Sequence, residues 1–242
     1  MNKPVIFSLG LVAGLIIAGV SNISLAPSDA ASGSPSPTEF ENATLTQVPF
    51  EGRWLVSWGG ENKEINHHYG ISPQNLAMDI RKIWDGSDQT MIGDPKKNES
   101  YGCWAQPILS PIDGVVEEAV NGIPDNIPGE MNRDMKFGNY VKVRSDDGFV
   151  VVMCHFKNDS IATRSGQRVK AGDLLGLCGN SGRSTEPHLH LHVQSKIEME
   201  KSVALRAVFQ ELMVGETLTM RYTPKKGDII SNTRSVNKIS ND

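Results

Sequence analysis

All six histidines of the chain fall in three places: His67-His68, His155, and the run His188-Leu189-His190-Leu191-His192. Histidine used only for packing or surface would be scattered. Concentration in three places, with Asp79 shortly after the first, is the pattern of a metal centre assembled from segments distant in sequence. Neutral imidazole is the commonest metal ligand, and a carboxylate completes a three-ligand zinc shell that keeps one coordination position open. Alternation with a period of two through Pro187–His192 puts three histidines on one face of a strand and the leucines on the other. A polar strand face accounts for one histidine but poorly for three. His188 and His190 therefore read as functional, while His192 is as consistent with a structural role.

His155 ends the apolar run Gly148–Cys154, where a titratable residue needs a reason. Cys154 and His155 are adjacent, so a regular strand would point them to opposite faces. That argues against a Cys–His nucleophilic pair and leaves Cys154 as a core residue or half of a disulfide. Asp79 is an acid among apolar neighbours in Leu76-Ala77-Met78-Asp79-Ile80. By itself it is equally a turn residue or a ligand.

The elements that must carry these residues are short. Trp54–Trp58, Gly114–Val120, Tyr140–Arg144, Gly148–His155, Leu174–Cys178 and Leu189–Val193 are β-branched or alternating runs punctuated by Gly, Pro, Asn and Asp. Such spacing predicts a mainly β fold with an antiparallel sheet or sandwich core. One short C-terminal helix is predicted over Val203–Leu212, from an apolar side of Val203, Leu205, Val208, Phe209 and Leu212. The polar stretch between Val120 and Tyr140 is too long for a hairpin turn and is expected to rim a groove.

The net charge of −4, with no block of Lys or Arg, gives no electrostatic case for nucleic acid, and 6% aromatic residues make a stacking platform for bases or sugars a poor expectation. Lys3 followed by the apolar run Leu9–Val20 reads as a signal peptide or an N-terminal membrane anchor over residues 1–30. The Ser/Pro/Ala-rich residues 31–47 read as a flexible linker, 48–232 as the folded domain and 233–242 as a disordered tail. The domain is thus expected to work outside the cytoplasm, in the periplasm or cell envelope, secreted or anchored. Three cysteines, Cys103, Cys154 and Cys178, permit one disulfide and a leftover thiol. Without a CxxC pattern, cysteine ligation of a metal is a poor expectation.

Five stretches together resemble the lysostaphin-type, LytM-like zinc endopeptidases. They are Asn66–Tyr69 with Ala77–Asp79, Pro107–Val116, Gly138–Val141, Val169–Gly176, and Gly179–His190 (GNSGRSTEPHLH). They cover roughly residues 49 to 195, and the last follows the family signature closely. The resemblance implies one zinc ion held by His68, Asp79 and His190, with His155 and His188 as catalytic histidines beside the reacting centre. It prefers His68 to His67, which takes the place of an aromatic residue in the long-gap subgroup. It implies an exported peptidase acting on peptidoglycan stem or cross-bridge peptides. The alternative on the same scaffold is a non-catalytic binding or activator module of the cell envelope. Met153 stands where many members carry Tyr, and His192 where an acid or polar residue is common.

Overall fold

Two runs are buried at every position, Val150–Phe156 and Leu189–Gln194. A strand is buried at every position only when both its faces are covered. The computed structural model, which describes residues 42–233, places them side by side at the centre of a large sheet. The strands are β1 (Asn42–Leu45), β2 (Trp54–Trp58), β3 (Met78–Lys82), β4 (Pro107–Leu109), β5 (Gly114–Val120), β6 (Asn139–Ser145), β7 (Val150–Phe156), β8 (Arg168–Val169), β9 (Leu174–Leu177), β10 (Leu189–Gln194), β11 (Ala204–Val214), β12 (Thr217–Tyr222) and β13 (Ile229–Ser231).

Main-sheet order is β1-β11-β13-β2-β3-β10-β7-β6-β5-β8, with β12 on β11; β4 and β9 form a second, two-stranded sheet. Only β1–β11 is parallel among these pairings. Strand β11 also pairs with the end of β10, so β10, β3, β2, β13 and β11 close a ring. The expectation of a mainly β, antiparallel fold holds.

The two faces of the central strands differ. Val151, Met153, Leu189, Leu191 and Val193 join the main core with Phe50, Trp54, Phe156 and Phe209. Val150, Val152 and Cys154 face the other way, under Phe137, Tyr140 and Ile197. His190 and His192 lie opposite Cys154 and Val152 in the ladder, so they share this second face.

Three expectations need correction. Residues 203–212 are not a helix: Ala204–Val214 is the eleven-residue strand β11. Leu205, Phe209 and Leu212 fit a period of 3.6 while Leu205, Ala207 and Phe209 fit a period of two, and pairing with β1, β10, β12 and β13 decides the matter. Ordered structure begins upstream of Val48, because β1 lies within the stretch read as linker and pairs with Arg206–Phe209. The three cysteines are all buried and all free, so the permitted disulfide is not formed. The expected signal or anchor segment, most of the linker and nearly all of the tail lie outside the described residues.

Candidate metal centre

Register alone brings two of the chemical groups together. Asp79 on β3 is the direct cross-strand partner of His190 on β10, 111 residues away. His190 in turn lies opposite Cys154 on β7. On the other flank, β2 bulges between Val56 and Trp58, so that Trp58 sits opposite Asp79. A buried carboxylate thus stands mid-row between an indole and an imidazole.

His67 and His68 arrive from the connection between β2 and β3. Its organiser is Asn66, fully buried, whose amide donates to the carbonyls of Gly60, Asn75 and Ala77 and whose Oδ1 accepts from the backbone N–H of His68. That one side chain pins the histidine pair to the start of β3. As a result His68 Nε2 lies 3.1 Å and His67 Nε2 3.2 Å from Asp79 Oδ2. The other carboxylate oxygen, Oδ1, is 3.0 Å from His190 Nδ1 and 3.5 Å from His188 Nε2.

His155 reaches the site through a fault in its strand. Tyr140 pairs with Cys154 and Asn139 with Phe156, which leaves His155 as the extra residue of a bulge, with φ of 66°. The bulge breaks the alternation that a regular strand would impose. His155 therefore does not oppose Cys154 by pointing into the main core; it joins the face of His190, ring centroids 5.9 Å apart, and lies 4.8 Å from the His188 ring. The expectation of opposite faces fails at this residue, but the Cys–His nucleophilic pair stays excluded on other grounds. Burial and the negative charge of Asp79 push the Cys154 thiol far above its ordinary range.

Backbone carbonyls settle the ring orientation of both non-ligand candidates. A carbonyl only accepts, so His155 donates Nδ1–H to Ser181 O at 2.8 Å and His188 donates Nδ1–H to Glu186 O at 2.8 Å. Each then turns Nε2 to the cleft. Ser181 also bonds Phe156 O and the N–H of Asn139, and Ser184 bonds Asn180 and Glu186, so the loop that holds both rings is itself tied down. Gly182 and Gly138 let this loop meet the loop before β6: a Cβ on Gly182 would lie 2.2 Å from Gly138 N.

The electrostatics divide the groups. Burial alone would raise the Asp79 carboxyl, but His188, by its charge and its hydrogen bond, holds it well below the usual carboxylate range. Burial lowers His190 well below the ordinary imidazole value despite Asp79, and lowers His155 to about 3, helped by His188. His188 moves up: the cost of burial is outweighed by the Asp79 charge and its hydrogen bond. The site thus pulls its imidazoles apart, His155 and His190 downward and His188 upward, around a carboxyl that is itself pulled down.

These groups line a cleft of about 400 Å³ whose walls include Trp58, Arg81, Lys136, Phe137, Arg183 and Glu186. Met131, Lys136 and Phe137 come from the long polar connection between β5 and β6, which rims the groove as expected. Nitrogen and oxygen donors of His67, His68 and Asp79 lie within 4.8 Å of one another, and His190 Nδ1 adds a donor from β10. Imidazole and carboxylate donors without thiolate, too few oxygens for calcium, suit zinc. The residues present fit that ion. All the histidines and the acid singled out in the sequence converge here; His192 sits behind His190. Asn66, Ser181, Ser184 and Gln194 were not singled out, since their roles exist only as hydrogen bonds to residues far away in the chain.

Residues 102–203 match the model of peptidase family M23. That span holds His155, His188 and His190 but not His67, His68 or Asp79, which only the fold joins to them. The chain is 34% identical over 88 residues to the cell division protein DipM of Caulobacter vibrioides, covering 36% of this chain and 12% of that protein. It is 33% identical over 84 residues to the peptidoglycan DD-endopeptidase ShyC of Vibrio cholerae, covering 35% of this chain and 16% of that one. It therefore spans under a fifth of the length of either relative. Among solved structures, a zinc-containing peptidase from Vibrio cholerae aligns with 67% of this chain and 39% of its own, at 18% identity and a TM-score of 0.39. Over residues 102–203 the chain is thus similar to peptidase family M23.

Proposed function

We propose that the protein is a zinc-dependent endopeptidase that hydrolyses peptide bonds in peptidoglycan stem or cross-bridge peptides. The observation that carries this reading is the ring of imidazoles around one buried, ionised carboxylate at the floor of an open cleft. His68, Asp79 and His190 would hold the metal. His68 is preferred over His67 because its side chain is 12% exposed against 48%, deep enough to share an ion with His190. His67 packs instead against Trp58, with ring centroids 4.8 Å apart, and forms cleft wall.

A bound zinc ion supplies an acidified water and polarises the scissile carbonyl. The chain's own part is proton handling and orientation. His155, neutral and with Nδ1–H committed to Ser181 O, offers Nε2 as a proton acceptor. His188, similarly oriented and holding its proton more readily, offers Nε2–H to charge developing on the substrate. Lys136, Arg183 and the Arg81–Glu186 ion pair give the cleft wall polar contacts for an extended peptide.

The relatives that match include a cell division protein and two peptidoglycan DD-endopeptidases, which supports a site of action in the cell envelope. We assign export to residues 1–30, as signal peptide or anchor, and the domain to the folded residues that follow the linker. The test is incubation of purified peptidoglycan with the zinc-loaded chain, alongside a His190→Ala control, followed by fragment analysis. Soluble fragments with new peptide termini are expected from the native chain and none from the variant. Peptidoglycan left intact by the zinc-loaded chain would reject the proposal.

A further inference from the structure

Behind His190, on the side away from the cleft, β10 continues with two more polar residues at every second position. His192 and Gln194 are 1% and 0% exposed. Polar groups buried this deeply are costly unless each is bonded. Here each is, and the bonds run in one direction only. Gln194 Nε2 donates to two backbone carbonyls, Lys196 O at 2.6 Å and Ile197 O at 3.1 Å. Turning the amide over would set Oε1 against both carbonyls, so its orientation is fixed. Oε1 must then face His192 Nε2, 3.1 Å away, and it can only accept. Neutral His192 therefore carries its hydrogen on Nε2 and turns a lone pair at Nδ1 towards His190 Nε2, 3.0 Å away. His190 must donate there. Its own remaining lone pair is left at Nδ1, which faces Asp79 Oδ1 at 3.0 Å.

Two acceptors face each other at that distance, an arrangement that a cation at the site relieves. The reverse order, with Nδ1–H of His190 donating to Asp79, would end in a lone pair on His192 pressed against the Gln194 oxygen. We infer that His192 and Gln194 are positioning residues that lock His190 as the Nε2–H tautomer and so present Nδ1 to the metal. The inference rests on the proposed role of His190 as a ligand. The far end of the chain of bonds is anchored outside the site, because Ile197 O also accepts from Lys142 Nζ at 3.3 Å, and Lys142 is paired with Glu118. The tautomer of a ligand on one side of the sheet is thus set by a turn beyond the end of its strand.

Three measurements on the full chain test this. In the zinc-free protein, long-range proton–nitrogen NMR reads which ring nitrogen of His190 is protonated; Nε2–H is expected, and Nδ1–H would overturn the inference whatever the variants do. Zinc affinity is then measured by chelator competition. His192→Leu is expected to weaken binding about 10- to 100-fold, the usual effect of removing the outer partner of a ligating histidine. His192→Asn places a carbonyl oxygen where Nδ1 stood and is expected to restore most of that loss. A merely structural role would show no such split between two variants of equal folded stability by circular dichroism and thermal unfolding. Zinc bound by His192→Leu as tightly as by the native chain would also overturn the inference. His190→Ala separates the two ideas: if it retains native zinc affinity, the ligand assignment itself fails.

Discussion

Asp79 carries more of the site than any other residue, because each carboxylate oxygen meets two imidazoles and none of its charge is left to solvent. Replacing it with Asn keeps the shape but removes the charge that attracts a divalent ion and holds the proton on His188. Asp79→Asn is expected to purify with zinc well below one equivalent by elemental mass spectrometry. His155→Ala is expected to keep its zinc while losing on the order of 10²-fold in peptidoglycan cleavage rate. Full activity of His155→Ala would remove it from the chemistry. At this scale the sequence is readable where a residue type is rare. Six histidines in three clusters announce themselves, whereas Asn66, Ser184 and Gln194 are ordinary polar residues until the fold shows what they bond.

Strands were legible wherever burial on one or both faces wrote a period of two, as in β7 and β10. They are not where an apolar pattern suits both periods, and the residues of β11 read as helix for that reason. Pairing partners outside the segment decided it, and they are invisible from within. Phe209, fully buried in β11 and paired with Leu45, is the residue that commits this strand to the core. Phe209→Ala is expected to cost about 3–5 kcal/mol in denaturant unfolding, while Met220→Ala, on the exposed side of the neighbouring β12, is expected to stay within about 0.5 kcal/mol. The bulge at His155 was equally hidden, since one inserted residue leaves no mark on composition. It makes its own prediction. A left-handed backbone costs a residue with a Cβ about 1–2 kcal/mol, and His155 has φ of 66°. His155→Gly is therefore expected to be more stable than His155→Ala by about 1 kcal/mol. Equal urea midpoints for the two would argue that the bulge is not held in solution.

At the scale of the whole molecule the site is a joint between parts that have little else in common. His190 and Asp79 sit on adjacent strands of the sheet, but His68 hangs from a connection of which about half the residues are exposed and which Asn66 tethers. The family match begins at residue 102, after that connection, so the first half of the proposed ligand set is joined to the second by folding alone. A zinc ion held by His68, Asp79 and His190 would be a third tether, and its removal should be felt in global stability as well as in catalysis. An ion present at about 100 times its dissociation constant stabilises the folded state by about 2.7 kcal/mol. For a domain of this size each kcal/mol moves the melting temperature by about 2–4 °C. A strong chelator is thus expected to lower the melting temperature of the native chain by about 5–10 °C in scanning calorimetry. Restoring zinc in excess should reverse the change. In His68→Ala and His190→Ala the same chelator should do nothing, and His67→Ala should behave as the native chain does. A chelator shift that survives in His68→Ala but vanishes in His67→Ala would transfer the ligand role to His67, with Trp58 then packing against a ligand instead of a wall.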